Sequence, residues 1–276
     1  MPQPDHRETL PAVARRERLA VLVAEEGFVR VTAASRLFGV SEVTLRSDLS
    51  ALERAGTLRR VHGGAMAVTG EARESPVEAT SERDAEVKRA IGRRAAALVT
   101  SGSSILLDVG STTLAVARAL VARSELSELT VITNGLSIAL ALEPAIPRIT
   151  VIVTGGTLRA LQHSLVNPLA GSLLASLHVD LAILGCNGIA AGQDGDGRVT
   201  NLNLAEAEVK RAMLVASTAR MLVADGSKAG QRHLGLIGGL AEFGTLVTGG
   251  AGAESLRELA ARAGTRLVLA EPVVLG

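Results

Sequence analysis

Val40-Ser41-Glu42-Val43-Thr44-Leu45-Arg46-Ser47-Asp48-Leu49 decides how the first quarter of this chain is read. Ser41 can accept a backbone amide and open a helix, and Glu42 suits its first turn. Val43, Leu45, Leu49 and Leu52 supply a core, and Gly56 ends the helix. Upstream, Gly39 makes a tight turn after a helix over Thr32–Phe38, with Ala33, Ala34 and Leu37 inward. A short extended run, Phe28–Val31, precedes it. Before that run Arg15–Glu26 reads as a helix with Leu19, Leu22 and Val23 on one face, stopped by Gly27. Downstream, Leu58–Val61 and Ala65–Val68 flank His62-Gly63-Gly64, a hairpin tip. Helix, glycine turn, second helix and β-ribbon are the order of a winged helix-turn-helix. Ser41, Glu42, Thr44, Arg46 and Ser47 are then the candidate DNA-contacting residues of the recognition helix, Ser41 to about Ala55. Arg46 suits a bidentate contact to guanine. Arg59, Arg60 and His62 would sit on the wing near phosphates. The pattern also fits a small helical domain whose arginines are only a solvated face.

The rest of the chain bounds this reading. Its 276 residues allow one large domain or two ordinary ones, and 47% hydrophobic residues suffice for a sizeable core. No apolar run reaches the roughly 18 residues of a membrane span. Met1 to Thr9 is polar and mixed in charge, unlike a secretory signal, and the single Cys186 fits a reducing cytoplasm. The expected location is cytoplasmic, with no membrane partner. Net charge is only +1, so no global basic field announces nucleic acid. Residues 1–70 hold ten arginines against eight acidic residues, the sign a DNA-binding module needs. Phe28, Phe38 and Phe243 are the only aromatics, which argues against base-stacking platforms. Ala67–Thr80 is small, polar and broken by Gly70 and Pro76. The expected division is therefore a DNA-binding domain at 1–70, a linker at 71–85 and a second domain at 86–276.

In the second domain apolar runs alternate with helical patterns. Expected strands are Ile105–Asp108, Thr130–Thr133, Ile149–Thr154, Asp180–Gly185, Met221–Asp225, Thr245–Thr248 and Arg266–Leu269. Expected helices are Thr112–Ala122, Leu136–Leu142, Leu169–Leu177, Leu204–Ser217 and Ala253–Ala263. This is an α/β pattern with a mostly parallel sheet covered on both faces. Polar residues cluster just after the strand ends, where such sheets bind ligands. Gly110 allows close backbone approach. Ser111, Thr112 and Thr113 put hydroxyls and amides at a helix start, which suits a phosphate, although such residues also simply cap helices. Glu206 and Lys210 stand four apart, as in a surface helix salt bridge. With Lys88 and Lys228, Lys210 is one of only three lysines. His163, His178, His233 and Cys186 lack metal-ligand spacing, so no metal site is expected. Phosphate-loop, dinucleotide and nucleophile-elbow motifs are absent, and no cofactor is expected.

Several stretches resemble the DeoR family of bacterial transcriptional repressors. Val40–Leu49 does so with Leu52-Glu53, Gly56, Leu58 and Val61-His62-Gly63-Gly64-Ala65. So do Asp108–Thr113, Val131–Gly135, Thr154–Arg159, Leu184–Ile189, Glu206–Met213 and Val223–Lys228. Ser47 departs from the family pattern, which usually has a second arginine there, and Gly249 stands where the family often has aspartate. The resemblance implies an effector domain that looks like ribose-5-phosphate isomerase and binds a phosphorylated sugar or related phosphometabolite. It implies that Ser111, Thr112 and Thr113 take the phosphate with Lys210 and Lys228, and that Asp108, Asn134, Gly155 and Asn187 read the sugar. The expected protein is a homo-oligomeric repressor of carbohydrate-metabolism genes, with operator DNA and a phosphosugar as partners. It is not expected to be an enzyme. The alternative is a sugar-phosphate isomerase or deaminase carrying a DNA-binding domain. Against it, Gly185-Cys186-Asn187-Gly188 replaces the acid-rich loop of the isomerases, and Asn187 cannot act as a general base. A DNA-binding module with a purely structural dimerisation domain is a third possibility.

Overall fold

The computed structural model describes residues 10–26, 28–54, 57–61, 63–67, 76–82 and 84–271. The chain divides into two compact units, Met1–Arg73 and Glu74–Gly276.

In the first unit α1 (Ala12–Glu26), β1 (Phe28–Arg30), α2 (Val31–Phe38), α3 (Glu42–Arg54), β2 (Leu58–Val61) and β3 (Gly64–Ala67) follow in order. The extended run before α2 joins the ribbon, giving an antiparallel sheet ordered β1-β3-β2, with Val29 opposite Ala65 and Arg60 opposite Ala65 on the other edge. Gly39 ends α2 in the left-handed region at φ 65°, where a side chain is disfavoured. Leu19, Val23, Val31, Ala34, Leu45, Leu49 and Leu58 form the core. Three expected core residues are not in it: Ala33 is exposed, Leu37 is 67% exposed and Val43 74%. Val43 and Leu45 point about 200° apart on a helix, so both cannot face the core. Asp48 ties the helices together: it is buried and accepts from Arg15 Nε at 2.6 Å and Arg16 Nε at 2.9 Å.

The second unit begins with α4 (Val77–Glu82), inside the expected linker. Val77 is buried, and its amide donates to Leu161 O at 3.1 Å, so this part of residues 71–85 is packed structure. Then come α5 (Ala85–Ala96), β4 (Ser104–Leu107), α6 (Ser111–Ala122), β5 (Leu129–Thr133), α7 (Leu136–Leu142) and β6 (Ile149–Val153). A short hairpin follows, β7 (Thr157–Arg159) and β8 (Ser164–Val166), and then α8 (Leu169–Leu174) and β9 (Val179–Gly185). Next are β10 (Gly188–Ala191), β11 (Gly197–Asn201), α9 (Leu204–Val215) and β12 (Ser217–Asp225). The unit closes with β13 (Gly235–Gly239), β14 (Thr245–Gly249), α10 (Arg257–Ala263) and β15 (Arg266–Leu269).

Seven strands form an all-parallel sheet, ordered β15-β14-β12-β9-β4-β5-β6. Alternation along each strand feeds two cores. Ile105, Leu107, Ile183 and Val223 pack with Ala90, Ile91, Val116 and Leu120 of α5 and α6. Leu106, Leu184, Leu222 and Ala224 pack with Ala207, Val209 and Met213 of α9. A second, antiparallel sheet, β10-β11-β13, has no counterpart in the sequence reading. The helix expected through Ser217 stops at Val215, because Ser217 already pairs with Val179 in the sheet.

Candidate functional site: a recognition helix and a strand-end polar cluster

On α3, Ser41 caps the helix, its Oγ accepting from Thr44 N at 3.1 Å, and shares a second hydrogen bond with Thr44 Oγ1 at 2.9 Å. Arg46 is exposed and donates to Glu42 Oε2 at 2.8 Å, four residues back. Ser47 is exposed. Arg60 donates to Ser50 Oγ at 2.6 Å, and its amide to Glu53 Oε1 at 2.9 Å, so the wing leans on α3. Arg59 has its backbone in β2, and His62 lies outside the described residues. Ser41, Glu42, Thr44, Arg46 and Ser47 thus share the first turns of one helix, adjoined by Arg60.

In the second unit, period-two alternation places Asp108 on the α9 side of the sheet, one step beyond β4. There it meets Lys210. Both are buried; Lys210 Nζ is ion-paired to Asp108 Oδ2 and donates to Gly185 O at 3.1 Å. Gly185 N donates to the same Asp108 Oδ2 at 3.1 Å, whereas Asp108 Oδ1 is buried without a partner. Burial pushes the Asp108 carboxyl above the ordinary carboxylate range, and Lys210 opposes that shift only in part. The surface salt bridge expected between Glu206 and Lys210 is not formed. The face of α9 that carries both is buried, and Glu206 is bound instead by Arg159, by Ser164 Oγ at 2.6 Å and by Asn201 Nδ2 at 3.3 Å.

The other expected residues lie in the loops that follow the strands and at the start of α6. Asn134 is fully buried; its Oδ1 accepts from Val109 N at 3.0 Å and its Nδ2 donates to Leu165 O at 3.4 Å, so it pins the loop after β4. Gly110 adopts φ 140° immediately before α6, and Thr113 Oγ1 donates back to Gly110 O at 2.9 Å. Leu114 N makes the first helical bond of α6, to Gly110 O. The amides of Ser111, Thr112 and Thr113 therefore lie at a helix N-terminus, which favours an anion. Ser111 is half-buried, Thr112 and Thr113 buried. Asn187 accepts from Leu202 N through Oδ1 at 2.9 Å and so joins β9 to the small sheet. Lys228 stands 3.8 Å from Asp225 Oδ2, in the loop after β12. Gly155 occupies the turn after β6 at φ 71°, next to Thr154, whose amide donates to Thr133 O at 3.1 Å. The half-buried Cys186 thiol registers the same neighbourhood: it is pushed up to about 12, chiefly by burial, with Lys210 and Lys228 opposing and Asp225 and Asp108 adding to the rise.

Sequence reasoning missed Ser164, Asn201 and Glu206 as one buried cluster joined by the half-buried Arg159, and Asp225 and Thr248 as buried residues at strand ends, each with a side-chain oxygen that lacks a hydrogen-bond partner. Arg159 and Glu206 stood inside quoted stretches, but their pairing is 47 residues long-range and leaves no local spacing to read. No group of three metal-ligating side chains occurs among the described residues, and none of their helices is long and apolar enough to cross a membrane.

Comparison with known proteins matches the same two units. The DeoR-like helix-turn-helix domain matches residues 15–71 and the DeoR C-terminal sensor domain residues 83–250. The HTH-type transcriptional regulator GolR of Listeria innocua is 36% identical over 210 residues, 76% of this chain and 79% of that protein. The glycerol-3-phosphate regulon repressor of Escherichia coli is 30% identical over 234 residues, 85% of this chain and 89% of that protein. Among solved structures, ribose 5-phosphate isomerase A of Methanocaldococcus jannaschii overlaps with a TM-score of 0.39 and 17% identity, over 53% of this chain and 55% of that one. With a helix-turn-helix unit, a sensor unit and relatives matched over most of their length, this chain belongs to the DeoR family of transcriptional regulators.

Proposed function

We propose that the chain is a homo-oligomeric repressor of carbohydrate-metabolism genes, released from its operator by a phosphorylated sugar or related phosphometabolite. The observation that carries this reading is the polar cluster at the ends of β4, β9 and β12. There the buried Asp108–Lys210 pair adjoins the loop leading to the amides of Ser111–Thr113. A helix N-terminus and lysines favour a phosphate, and buried carboxylate and amide groups suit polyol hydroxyls. One relative is named for a phosphorylated polyol, glycerol 3-phosphate. In this reading Glu42, Thr44, Arg46 and Ser47 face base edges and Arg60 a phosphate. Residues 86–276 assemble the oligomer, because one winged helix covers too few base pairs for useful specificity.

The test is a thermal-shift and operator-release screen of the full chain against pentose, hexose and triose phosphates. One compound is expected to raise the melting temperature and release DNA. Ser111→Asp places a negative charge at the anion position while suiting the helix dipole. That variant is expected to fold, bind operator and ignore the compound. A Ser111→Asp protein that responds at the wild-type concentration would overturn the strand-end cluster as effector site. Turnover of a sugar phosphate by the purified chain would overturn the assignment as a non-enzyme.

A further inference from the structure

The recognition helix carries one feature that hydrogen bonding does not account for. Val43, in its first turn, is 74% exposed. The neighbouring core positions are filled: Leu45 and Leu49 are buried. Val43 shares its helix face with Arg46, Ser47 and Ser50, at spacings of three, four and seven residues. On and around that face polar groups engage one another: Arg46 with Glu42, Thr44 with Ser41, and Ser50 with Arg46 O at 2.8 Å and with Arg60. The outward face thus presents a branched apolar side chain among polar groups already turned toward each other.

In a major groove such a side chain has one complementary feature among base edges, the C5-methyl of thymine. We propose that Val43 is a specificity-determining residue that selects a thymine in each half-site by apolar contact with that methyl. The inference rests on the DNA-binding reading above and deepens it. Arg46 and Glu42 read polar edges, and Val43 adds a position where the preference is for a methyl. This contact needs no guanidinium, so it is independent of the serine at position 47.

The experiment separates the two readings. Full-length protein selects duplexes from a random pool, and each thymine of the best duplex is then replaced singly by deoxyuridine, which removes only the methyl. The wild-type chain is expected to lose about 4-fold in affinity at one thymine per half-site, the equivalent of one methyl-sized group at about 0.8 kcal/mol. Val43→Ala is expected to bind thymine and deoxyuridine alike at that position while keeping its other base preferences. Alanine is a better helix former at an exposed site, so the variant should melt no lower than wild type. A wild-type protein indifferent to every deoxyuridine would overturn the inference while leaving DNA binding intact. So would a Val43→Ala variant that still discriminates. Failure to enrich any duplex would overturn DNA binding itself, and this inference with it.

Discussion

A carboxylate with no exposed surface must find its counter-charge inside the protein, and Asp108 finds it in Lys210. The spacing of Glu206 and Lys210 suggested a polar surface, where alanine would be harmless. The buried geometry reverses that expectation. Lys210→Ala leaves Asp108 unpaired and is expected to destabilise the sensor unit by about 3–5 kcal/mol in a urea titration. Asp108→Asn combined with Lys210→Met removes both charges and should recover most of that loss. An unchanged melting curve for Lys210→Ala would refute the pairing. Asp48 gives a second residue-scale prediction. Burial raises its pKa, but Arg15 and Arg16 more than offset this and hold the carboxyl below its ordinary value. A carboxyl lowered by folding contributes stability above its unfolded pKa of about 3.9, and that stability is lost as pH falls through the folded value. The helix-turn-helix unit should therefore loosen below about pH 4, and Asp48→Asn should abolish most of that acid dependence. Circular dichroism of both proteins between pH 7 and 2 checks it.

Helices α5 and α6 lie unusually close, because Gly92 has no side chain. A Cβ there would stand 2.5 Å from Ala115 O and 2.6 Å from its carbonyl carbon. In an exposed helix Gly→Ala gains about 0.8–1 kcal/mol. Here the collision wins, and Gly92→Ala is expected to lower the melting temperature, whereas a rise would show that the helices can separate freely. Legibility at this scale follows the side-chain pattern. Ile105–Leu107, Val131–Thr133 and Leu181–Leu184 read as strands because continuous apolar residues in short runs fit a sheet buried on both faces. The β10-β11-β13 sheet could not be read, since Gly188, Gly197, Gly235, Gly238 and Gly239 look like loop. Helix α4 was hidden by the polar run around it. The strand-end cluster was legible as a set of loops because each follows a strand. Which side chains meet inside it was not, since Asp108 and Lys210 are 102 residues apart. On α3 the cap at Ser41 and the core at Leu45 and Leu49 were legible, but the outward turn of Val43 depends on which helix face the neighbours occupy.

Across the whole molecule, the proposed reading puts DNA and effector on different units, and any coupling between their binding is reciprocal. A metabolite that weakens operator binding must itself bind the operator complex more weakly, by the same factor. Typical coupling of about 1–3 kcal/mol corresponds to roughly 5–150-fold. Titrating metabolite into free protein and into protein saturated with operator should give dissociation constants differing by the factor seen in DNA release. Equal constants would mean that the metabolite does not regulate DNA binding.

The strand order has a consequence for how the protein is made. The helix-turn-helix unit has its own core and is complete once its ribbon has left the ribosome. The sheet then starts from an interior strand: β4 emerges first, β5 and β6 extend one side, and the other side of β4 waits for β9. At about 5–20 residues per second that wait is on the order of ten seconds. During it a growing chain exposes an unpaired apolar edge, while Asp108 still lacks both Gly185 N and Lys210. A message cut short in this interval would encode a finished helix-turn-helix unit joined to an aggregation-prone fragment with no means of sensing anything.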